Sequence, residues 1–241
     1  MKLVLGIDLE TDSLDVESCR VLEIGAVLWD VDSNQPVMVS NYLIRQDEGY
    51  IIPESITELT GITQEMVTTD IAVGLFWVIE QIEVMWDRAV AVVAHNGTVF
   101  DKPILDRKIK DCGYSDWTES PRAPWIDTMI DPPYPAAMQS RKLAYLAADH
   151  GIAPTFAHRA VFDVLTMMQI LSHYDIDPLI EQARSPLVQV RAAVTYDNRA
   201  QASARGYHWD ADRRAWLKQI RACNLEQERA NSEFSVIQVT L

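Results

Sequence analysis

Apolar side chains cluster in five short runs within the first 130 residues, and these runs predict β-strands. Residues 3–9, 21–29 and 36–44 are separated by short polar linkers, a pattern that favours an antiparallel meander. Residues 90–94 form a continuous apolar run of the kind found in buried central strands, and residues 125–126 lead into another strand end. We therefore predict a sheet of five strands.

Segments with helical spacing of apolar residues fill the gaps between these strands. Over 71–89 the apolar positions recur every three to four residues, which predicts a helix. A second helix is predicted from residue 101, because a proline falls in its first turn, where proline is tolerated. Further helices are predicted over 53–61, 143–150 and 159–173. The order of elements predicts an α/β fold, with a mixed five-stranded sheet flanked by helices.

The last quarter of the chain has a separate pattern. Asp-Pro and Ser-Pro pairs within 176–187 predict a linker between a domain over 1–175 and a small module over 188–241. The module is predicted to be α+β, because its pattern gives a strand, a helix, a hairpin and a final strand, over 188–196, 197–205, 207–220 and 234–241.

Charge differs between the two parts of the chain. The 241 residues carry a net charge of −14, which argues against non-specific binding of duplex DNA by the whole surface. Residues 1–183 hold 12 basic and 29 acidic side chains, a net −17, whereas residues 184–241 hold 9 and 6, a net +3. Either the two parts have different tasks, or the acidity serves solubility and the difference is chance.

The composition also sets expectations about location. Apolar residues make up 48% of the chain, enough for a substantial core, but no run approaches the 18 residues of a membrane span. The apolar start resembles a signal peptide only superficially, since acidic residues interrupt it early. Three widely spaced cysteines match no zinc or redox motif. We expect a cytoplasmic protein of a bacterium or a phage-infected cell, without a membrane partner.

Four carboxylates and one histidine are the candidate chemical groups. Asp8 and Glu10 are two residues apart on the first strand, so both side chains point to one face, with no Lys or Arg near them in sequence. Leaving two carboxylates unpaired on a buried face would cost several kcal/mol, and a divalent metal would compensate them. Asp101 and Asp163 lie near helix starts, where an aspartate can also serve as a simple N-cap.

His158 precedes Asp163 by five residues, too far round a helix for the two to share a face. We therefore place His158 in the loop that enters the helix and Asp163 in its first turns. A lone loop histidine is commonly an inert surface residue. Beside four carboxylates that hold divalent ions, it can instead accept a proton from water during hydrolysis of a phosphodiester.

These segments resemble the three motifs of the DEDDh family of 3′–5′ exonucleases, which the sequence matches at residues 8–11, 95–101 and 158–163. The resemblance covers roughly 1–175 and implies a ribonuclease H-like fold. It also implies a hydrolase that releases nucleoside 5′-monophosphates from a 3′ end. Two Mg²⁺ or Mn²⁺ ions would be held by the four acids, with one of them, Asp101, bound directly or through water, and His158 would be the general base.

The resemblance further implies a set of substrate contacts. The predicted contacts are Leu9, Thr11, Leu14, Asn96 and Phe100. Leu14 matches the leucine that wedges against the terminal base in the family. The glycine that normally precedes this leucine is replaced here by serine, which stiffens the turn.

Several alternatives for the substrate and the module stay open. DNA with single-stranded or frayed 3′ ends is the expected substrate, and RNA, a catalytically silent nucleic-acid-binding module and a proofreading subunit with a polymerase partner are the alternatives. Residues 197–218, which include Trp209 and Trp216, resemble a small module found beside DNA-processing domains. Its tryptophans and basic residues can stack on bases and bind phosphates, or the tryptophans form a miniature core. A homodimer or a replication or repair partner would be bound through the same module.

Overall fold

The computed structural model describes residues 1–113, 123–135, 138, 140–153 and 156–239. Five strands form the larger sheet in the order β3-β2-β1-β4-β5. Their bounds are β1 Leu3–Thr11, β2 Val21–Asp30, β3 Gln35–Leu43, β4 Val92–Ala94 and β5 Trp125–Asp127. β1 is central, pairing antiparallel with β2 and parallel with β4. The predicted mixed five-stranded sheet is confirmed.

Helices cover both faces of this sheet. Their bounds are α1 Glu54–Thr60, α2 Gln64–Thr68, α3 Leu75–Trp86, α4 Asp101–Asp111, α5 Leu143–Asp149, α6 Ala160–Leu171 and α7 Ile176–Ala183. α3 and α4 pack on one face, against apolar residues such as Leu5 and Ile24. α6 and α7 pack on the other face, against Val4 and Val27. The buried strands β1, β2, β4 and β5 thus separate two apolar layers, which explains their continuous apolar sequences, whereas the edge strand β3 is largely exposed.

The prediction of a linker over 176–187 was wrong for most of that segment, because α7 occupies Ile176–Ala183. Pro178 lies in the first turn of the helix, where its missing N–H is not needed, so the proline does not prevent helix formation. The Asp175 carboxylate accepts a hydrogen bond from Asp177 N and caps the same turn. Ile176 and Leu179 are buried in the core, so the segment is part of the packed body.

The C-terminal residues form a second sheet of four strands in the order β7-β8-β6-β9. Its elements are β6 Leu187–Ala193, α8 Arg199–Ala204, β7 His208–Asp210, β8 Ala215–Arg221, a 3₁₀ turn at Ala222–Asn224, α9 Leu225–Asn231 and β9 Ser235–Val239. The predicted strands, hairpin and first helix are therefore present. α9 was not predicted, and residues 240–241 of the predicted final strand lie outside the described residues.

Trp216 packs partly buried against the small core of this module, which contains Val190 and Tyr207. Trp209 is 53% exposed, and its ring meets that of Trp216 edge-on at 5.9 Å. The interpretation of the tryptophans as a miniature core therefore holds for Trp216 and not for Trp209. Across the described ranges, no helix combines the length and the apolar character needed to cross a membrane.

Candidate active site

Three carboxylates converge where β1 passes under the start of α6. Asp8 and Glu10 lie on the same face of β1, and Asp163 lies in the first turn of α6. One oxygen from each of the three lies within 4.8 Å of the others, and all three side chains are half-buried. The strand and helix that carry them are held by core packing, because Val164 of α6 rests directly over Gly6 of β1.

Asp101 closes the cluster from the side of α4. It is the first residue of that helix, as predicted, and its side chain is buried. One carboxylate oxygen accepts a hydrogen bond from Leu9 N at 3.0 Å, and this contact fixes Asp101 to the backbone between Asp8 and Glu10. Asp101 therefore touches the strand that carries the first two acids.

Glu23 of β2 is a fifth acid on this face and was not predicted as a site residue. It is opposite Glu10 in the strand register and is fully buried. The guanidinium of Arg159 donates to both carboxylate oxygens of Glu23, with distances between 2.7 and 3.1 Å. The backbone N–H of Ala160 also donates to Glu23, at 3.0 Å, so the acid fixes the first residue of α6 to β2.

Gly25 allows this close approach of α6 to the sheet. A Cβ atom at position 25 would lie 2.4 Å from the backbone of Ala160 and Val161, which real Cβ atoms do not tolerate. The absence of a side chain at Gly25 and the Glu23 contact thus act together to place the N-terminal turn of α6. Asp163 is in that turn, so its position relative to β1 depends on both residues.

His158 lies in the loop that enters α6, as predicted, and its side chain is exposed. Its backbone has a φ of 64°, in the left-handed region that costs non-glycine residues energy. The backbone N–H of His158 donates to the Asp163 carboxylate at 3.0 Å. Asp163 therefore fixes the histidine loop as well as contributing to the acid cluster, while the exposed imidazole can meet a molecule from solvent.

The acids raise one another's pKa values. Burial, followed by repulsion from Asp163 and Glu23, raises the pKa of Glu10 to about 8. Burial also raises the pKa of Asp101 to about 7, against the lowering effect of its hydrogen bond from Leu9. The pKa of Asp8 is raised well above its usual range, by burial first and then by the neighbouring carboxylates. In the described part of the chain no Lys or Arg forms an ion pair with these acids or with Asp163.

This donor set fits hard divalent cations. Every candidate ligand atom is a carboxylate oxygen, which is the type that Mg²⁺ and Mn²⁺ prefer. Asp8, Glu10, Asp101 and Asp163 form a buried group of like charges, while Arg159 pairs with Glu23. Such a group costs free energy that a bound cation would remove. Asp8, Glu10 and Asp163 would be direct ligands, and Asp101 lies beside them.

Asp127, at the end of β5, holds the loop before α4. Its carboxylate accepts hydrogen bonds from Asn96 N at 2.8 Å and from Thr98 N at 3.1 Å, and the Thr98 hydroxyl donates at 2.6 Å. The sequence pattern predicted a strand end after residues 125–126 and gave Asp127 no role. Its buried carboxylate organises the turn through Gly97 that leads to Asp101.

The predicted substrate contacts differ in their exposure. Leu14 is 87% exposed, and Asn96 and Phe100 are partly exposed, so these three side chains are open to a ligand. The side chains of Leu9 and Thr11 are buried, and the Thr11 hydroxyl donates to Ser13 O at 2.7 Å. All five stay predictions as substrate contacts, and the two buried residues have little side-chain surface to offer.

A comparison with protein families assigns the larger domain. The exonuclease family model (RNase T) matches residues 5–171, more than two thirds of the chain, and includes all five candidate catalytic residues. The chain belongs to the exonuclease family. This confirms the predicted membership of the DEDD-type 3′–5′ exonucleases, and with it the ribonuclease H-like fold of the larger sheet. A second model, a domain of unknown function, matches residues 188–239, which form the small module.

Individual relatives of this exonuclease-family chain are longer proteins. The PolC-type DNA polymerase III of Thermotoga petrophila is 29% identical over 168 residues, which is 70% of this chain and 11% of the polymerase. An exonuclease I structure superposes with a TM-score of 0.67 at 14% identity, covering 92% of this chain and 63% of that one. Escherichia coli exonuclease I in complex with a dT13 oligonucleotide gives 0.60 at 15% identity, covering 80% and 49%. This chain spans less than two thirds of each, and at these identities the two structural matches show the fold alone.

The stability of the metal-free exonuclease domain is expected to fall as the pH rises from about 5 to about 8. Folding raises the pKa of Glu10 to about 8 and that of Asp101 to about 7, so the folded state binds more protons than the unfolded state in this range. Stability is then present at low pH and lost as these groups ionise in the folded state. Urea unfolding in EDTA at several pH values measures the slope.

The Glu10→Gln variant is the control for this pH dependence, because it removes one titrating group and keeps the shape of the side chain. Its stability is expected to fall less steeply over the same pH range than that of the unmodified protein. Saturating Mg²⁺ is expected to flatten the slope of the unmodified protein. Equal slopes for both proteins in EDTA would show that Glu10 does not titrate in this range.

Replacing Glu23 with glutamine is expected to lower kcat about tenfold and the free energy of unfolding by about 1–3 kcal/mol. Glutamine keeps the volume but loses the charge that holds Arg159 and the N-terminus of α6. Initial rates on an oligonucleotide and urea unfolding check the two effects.

Glu228→Gln is the matched control for the Glu23 variant, since Glu228 binds Arg205 and Lys218 within the small module. This control is expected to lose stability while kcat is retained. A Glu23→Gln protein with unchanged kcat would contradict the assigned role of Glu23 in placing α6.

Proposed function

We propose that the protein is a metal-dependent 3′–5′ exonuclease that removes nucleoside 5′-monophosphates from the 3′ ends of DNA, on single strands or frayed ends. The observation that carries the proposal is the convergence of Asp8, Glu10 and Asp163 within 4.8 Å, with Asp101 hydrogen-bonded to the strand between the first two. The family match supports the same conclusion, because its model covers every one of these residues.

The side chains of this chain have separate tasks in the proposed reaction. The four carboxylates would hold two Mg²⁺ or Mn²⁺ ions, which would supply charge stabilisation for the phosphodiester and its leaving oxygen. His158 accepts a proton from the attacking water, and its exposed position next to Asp163, which binds its backbone, suits that role. Asp163 links the two tasks, since it belongs to the acid cluster and also binds the His158 backbone.

The relatives described above favour DNA over RNA as the proposed substrate. The solved E. coli exonuclease I is in complex with a dT13 oligonucleotide, and the sequence relative described above is a DNA polymerase. Leu14 is exposed and Asn96 and Phe100 are partly exposed; these three residues lie near the acids in sequence and are the proposed contacts for the terminal nucleotides. The exonuclease domain is strongly acidic and would contact DNA through its bound cations. We therefore expect it to hold only a few nucleotides and to dissociate from DNA often.

End-labelled oligonucleotides test this proposal directly. DNA and RNA oligonucleotides of one sequence, single- and double-stranded, are incubated with the protein in Mg²⁺, in Mn²⁺ or in excess EDTA. The expected result is a ladder that shortens from the 3′ end of single-stranded DNA in either metal and stops in EDTA. Full activity in EDTA would exclude the metal mechanism, shortening from the 5′ end would exclude the polarity, and faster loss of RNA would make the protein an exoribonuclease.

A further inference from the structure

Arg221 of β8 links the small module to the exonuclease domain. The residue is only 5% exposed, which is rare for arginine, and its guanidinium donates to both oxygens of Asp131 at 2.8 and 2.6 Å. The same guanidinium donates to the backbone carbonyls of Trp125 at 2.7 Å, Ser185 at 3.2 Å and Ala183 at 3.3 Å. Arg221, a residue of the small module, is therefore buried against the exonuclease domain next to β5.

Asp131 carries this contact one step further. It is 3% exposed, and the oxygen that accepts the shortest Arg221 bond also accepts a hydrogen bond from Asp127 N at 2.7 Å. Without Arg221, Asp131 would be a buried carboxylate lacking its cationic partner. Such a carboxylate lowers its free energy by moving toward water, and its hydrogen bond from Asp127 N would then be lost.

Asp127 completes the connection to the acid cluster. Its side chain holds Asn96 and Thr98, and the loop between them has no free space, since a Cβ on Gly97 would lie 2.1 Å from Ala94 Cβ. Gly97 O then accepts from Lys102 N at 2.8 Å, so the held loop runs directly into the first turn of α4. Asp101 is in that turn, and a shift of the loop shifts its carboxylate.

We propose that Arg221 is a positioning residue for the metal centre, acting through the buried series Arg221, Asp131, Asp127 and the 96–98 loop on Asp101. The module that contains Arg221 is then part of the scaffold of the exonuclease site. The loop connection stands on the hydrogen bonds alone, whereas its consequence for metal binding rests on the proposed function. Substitution of residues that support the ligands of a metal site typically changes metal affinity or activity by about 10- to 100-fold. Because Arg221 acts on Asp101 through several residues, we expect an effect of about tenfold.

The Arg221→Met variant tests the proposal against an Arg205→Met control. Arg205 is a second arginine of the module, which pairs with Glu228 and makes no hydrogen bond to the exonuclease domain among the described residues. Three quantities are measured on full-length proteins: amide hydrogen exchange of peptides covering 95–101 in EDTA, Mn²⁺ affinity by electron paramagnetic resonance, and kcat and KM on a dT oligonucleotide.

In Arg221→Met we expect faster exchange of the Asn96 and Thr98 amides, about tenfold weaker Mn²⁺ binding and a lower kcat with little change in KM. Arg205→Met is expected to match the unmodified protein in all three. Exchange and Mn²⁺ binding of Arg221→Met equal to those of Arg205→Met would overturn the proposal. An unmodified protein that binds no Mn²⁺ would instead overturn the proposed function, and the exchange data would still decide the loop connection.

Arg221→Lys decides the question if the methionine variant does not fold. Lysine keeps the positive charge, but one ammonium cannot reach both Asp131 oxygens and the Trp125 carbonyl in the planar arrangement of a guanidinium. The expected result is a smaller change in the same direction, in both 95–101 exchange and Mn²⁺ affinity. A lysine variant that folds and matches the unmodified protein in both would contradict the positioning role.

Discussion

Replacing Asp8 with asparagine is expected to abolish exonuclease activity and to raise the melting temperature of the metal-free protein. Asp8 belongs to the acid cluster, and the proposed metal centre would lose one of its direct ligands in this variant. Loss of several kcal/mol of charge stabilisation lowers the rate by a factor of about a thousand or more. Rates on 3′-labelled single-stranded DNA in Mg²⁺ measure this loss.

The gain in stability has a separate physical cause. Burial and the carboxylates around it raise the pKa of Asp8 well above its usual range, which means that ionised Asp8 is disfavoured in the folded state. Asparagine has nearly the same shape and no charge, so this cost disappears at pH 8 in EDTA. The variant should therefore melt at a higher temperature than the unmodified protein there, and the difference should shrink or reverse in saturating Mg²⁺.

Asp106→Asn is the matched control, because Asp106 is an acid of α4 that pairs with Lys102 outside the cluster. This control is expected to keep the activity of the unmodified protein and to gain no stability in EDTA. Substantial activity in the Asp8 variant would show that this carboxylate is not a required ligand. A lower melting temperature in EDTA would show that Asp8 is not strained by its neighbours.

Most of the main sheet was predictable because β1, β2, β4 and β5 are buried and their sequences are short apolar runs, whereas the edge strand β3 is largely exposed. The same reasoning located the acids, since Asp8 and Glu10 interrupt such a run on one face. Asp101 and Asp163 were placed in first helical turns from their local patterns, and the structure has them there. These features depend on neighbours in sequence.

Features that depend on distant partners were not predicted. Glu23 is an acid within the apolar stretch of β2, and this pattern was a usable signal, but its partner Arg159 is 136 residues away. Asp131 and Arg221 are separated by 90 residues, and neither has a local pattern that indicates a buried pair. The segment Ile176–Ala183 was interpreted as a linker because an Asp-Pro pair is typical of turns. It forms a helix because its apolar face packs against the core, and this contact is not visible in the local sequence.

Replacing His158 with alanine is expected to lower kcat by about 10²- to 10⁴-fold while Mn²⁺ affinity is retained, because the proposed role of the imidazole is to accept a proton and not to bind metal. The hydrogen bond to Asp163 comes from the backbone of residue 158, so the substitution does not remove it. Single-turnover rates and Mn²⁺ binding, measured on the same preparation, separate the two properties.

Two further variants separate the imidazole from the backbone at this position. The φ of 64° is tolerated well by asparagine and by glycine, so His158→Asn and His158→Gly keep the loop without supplying a base. Both are expected to be as slow as the alanine variant, and added imidazole is expected to restore part of the rate of the glycine variant. High activity in the asparagine variant would assign the effect of alanine to the loop conformation, and the general-base role of His158 would be lost.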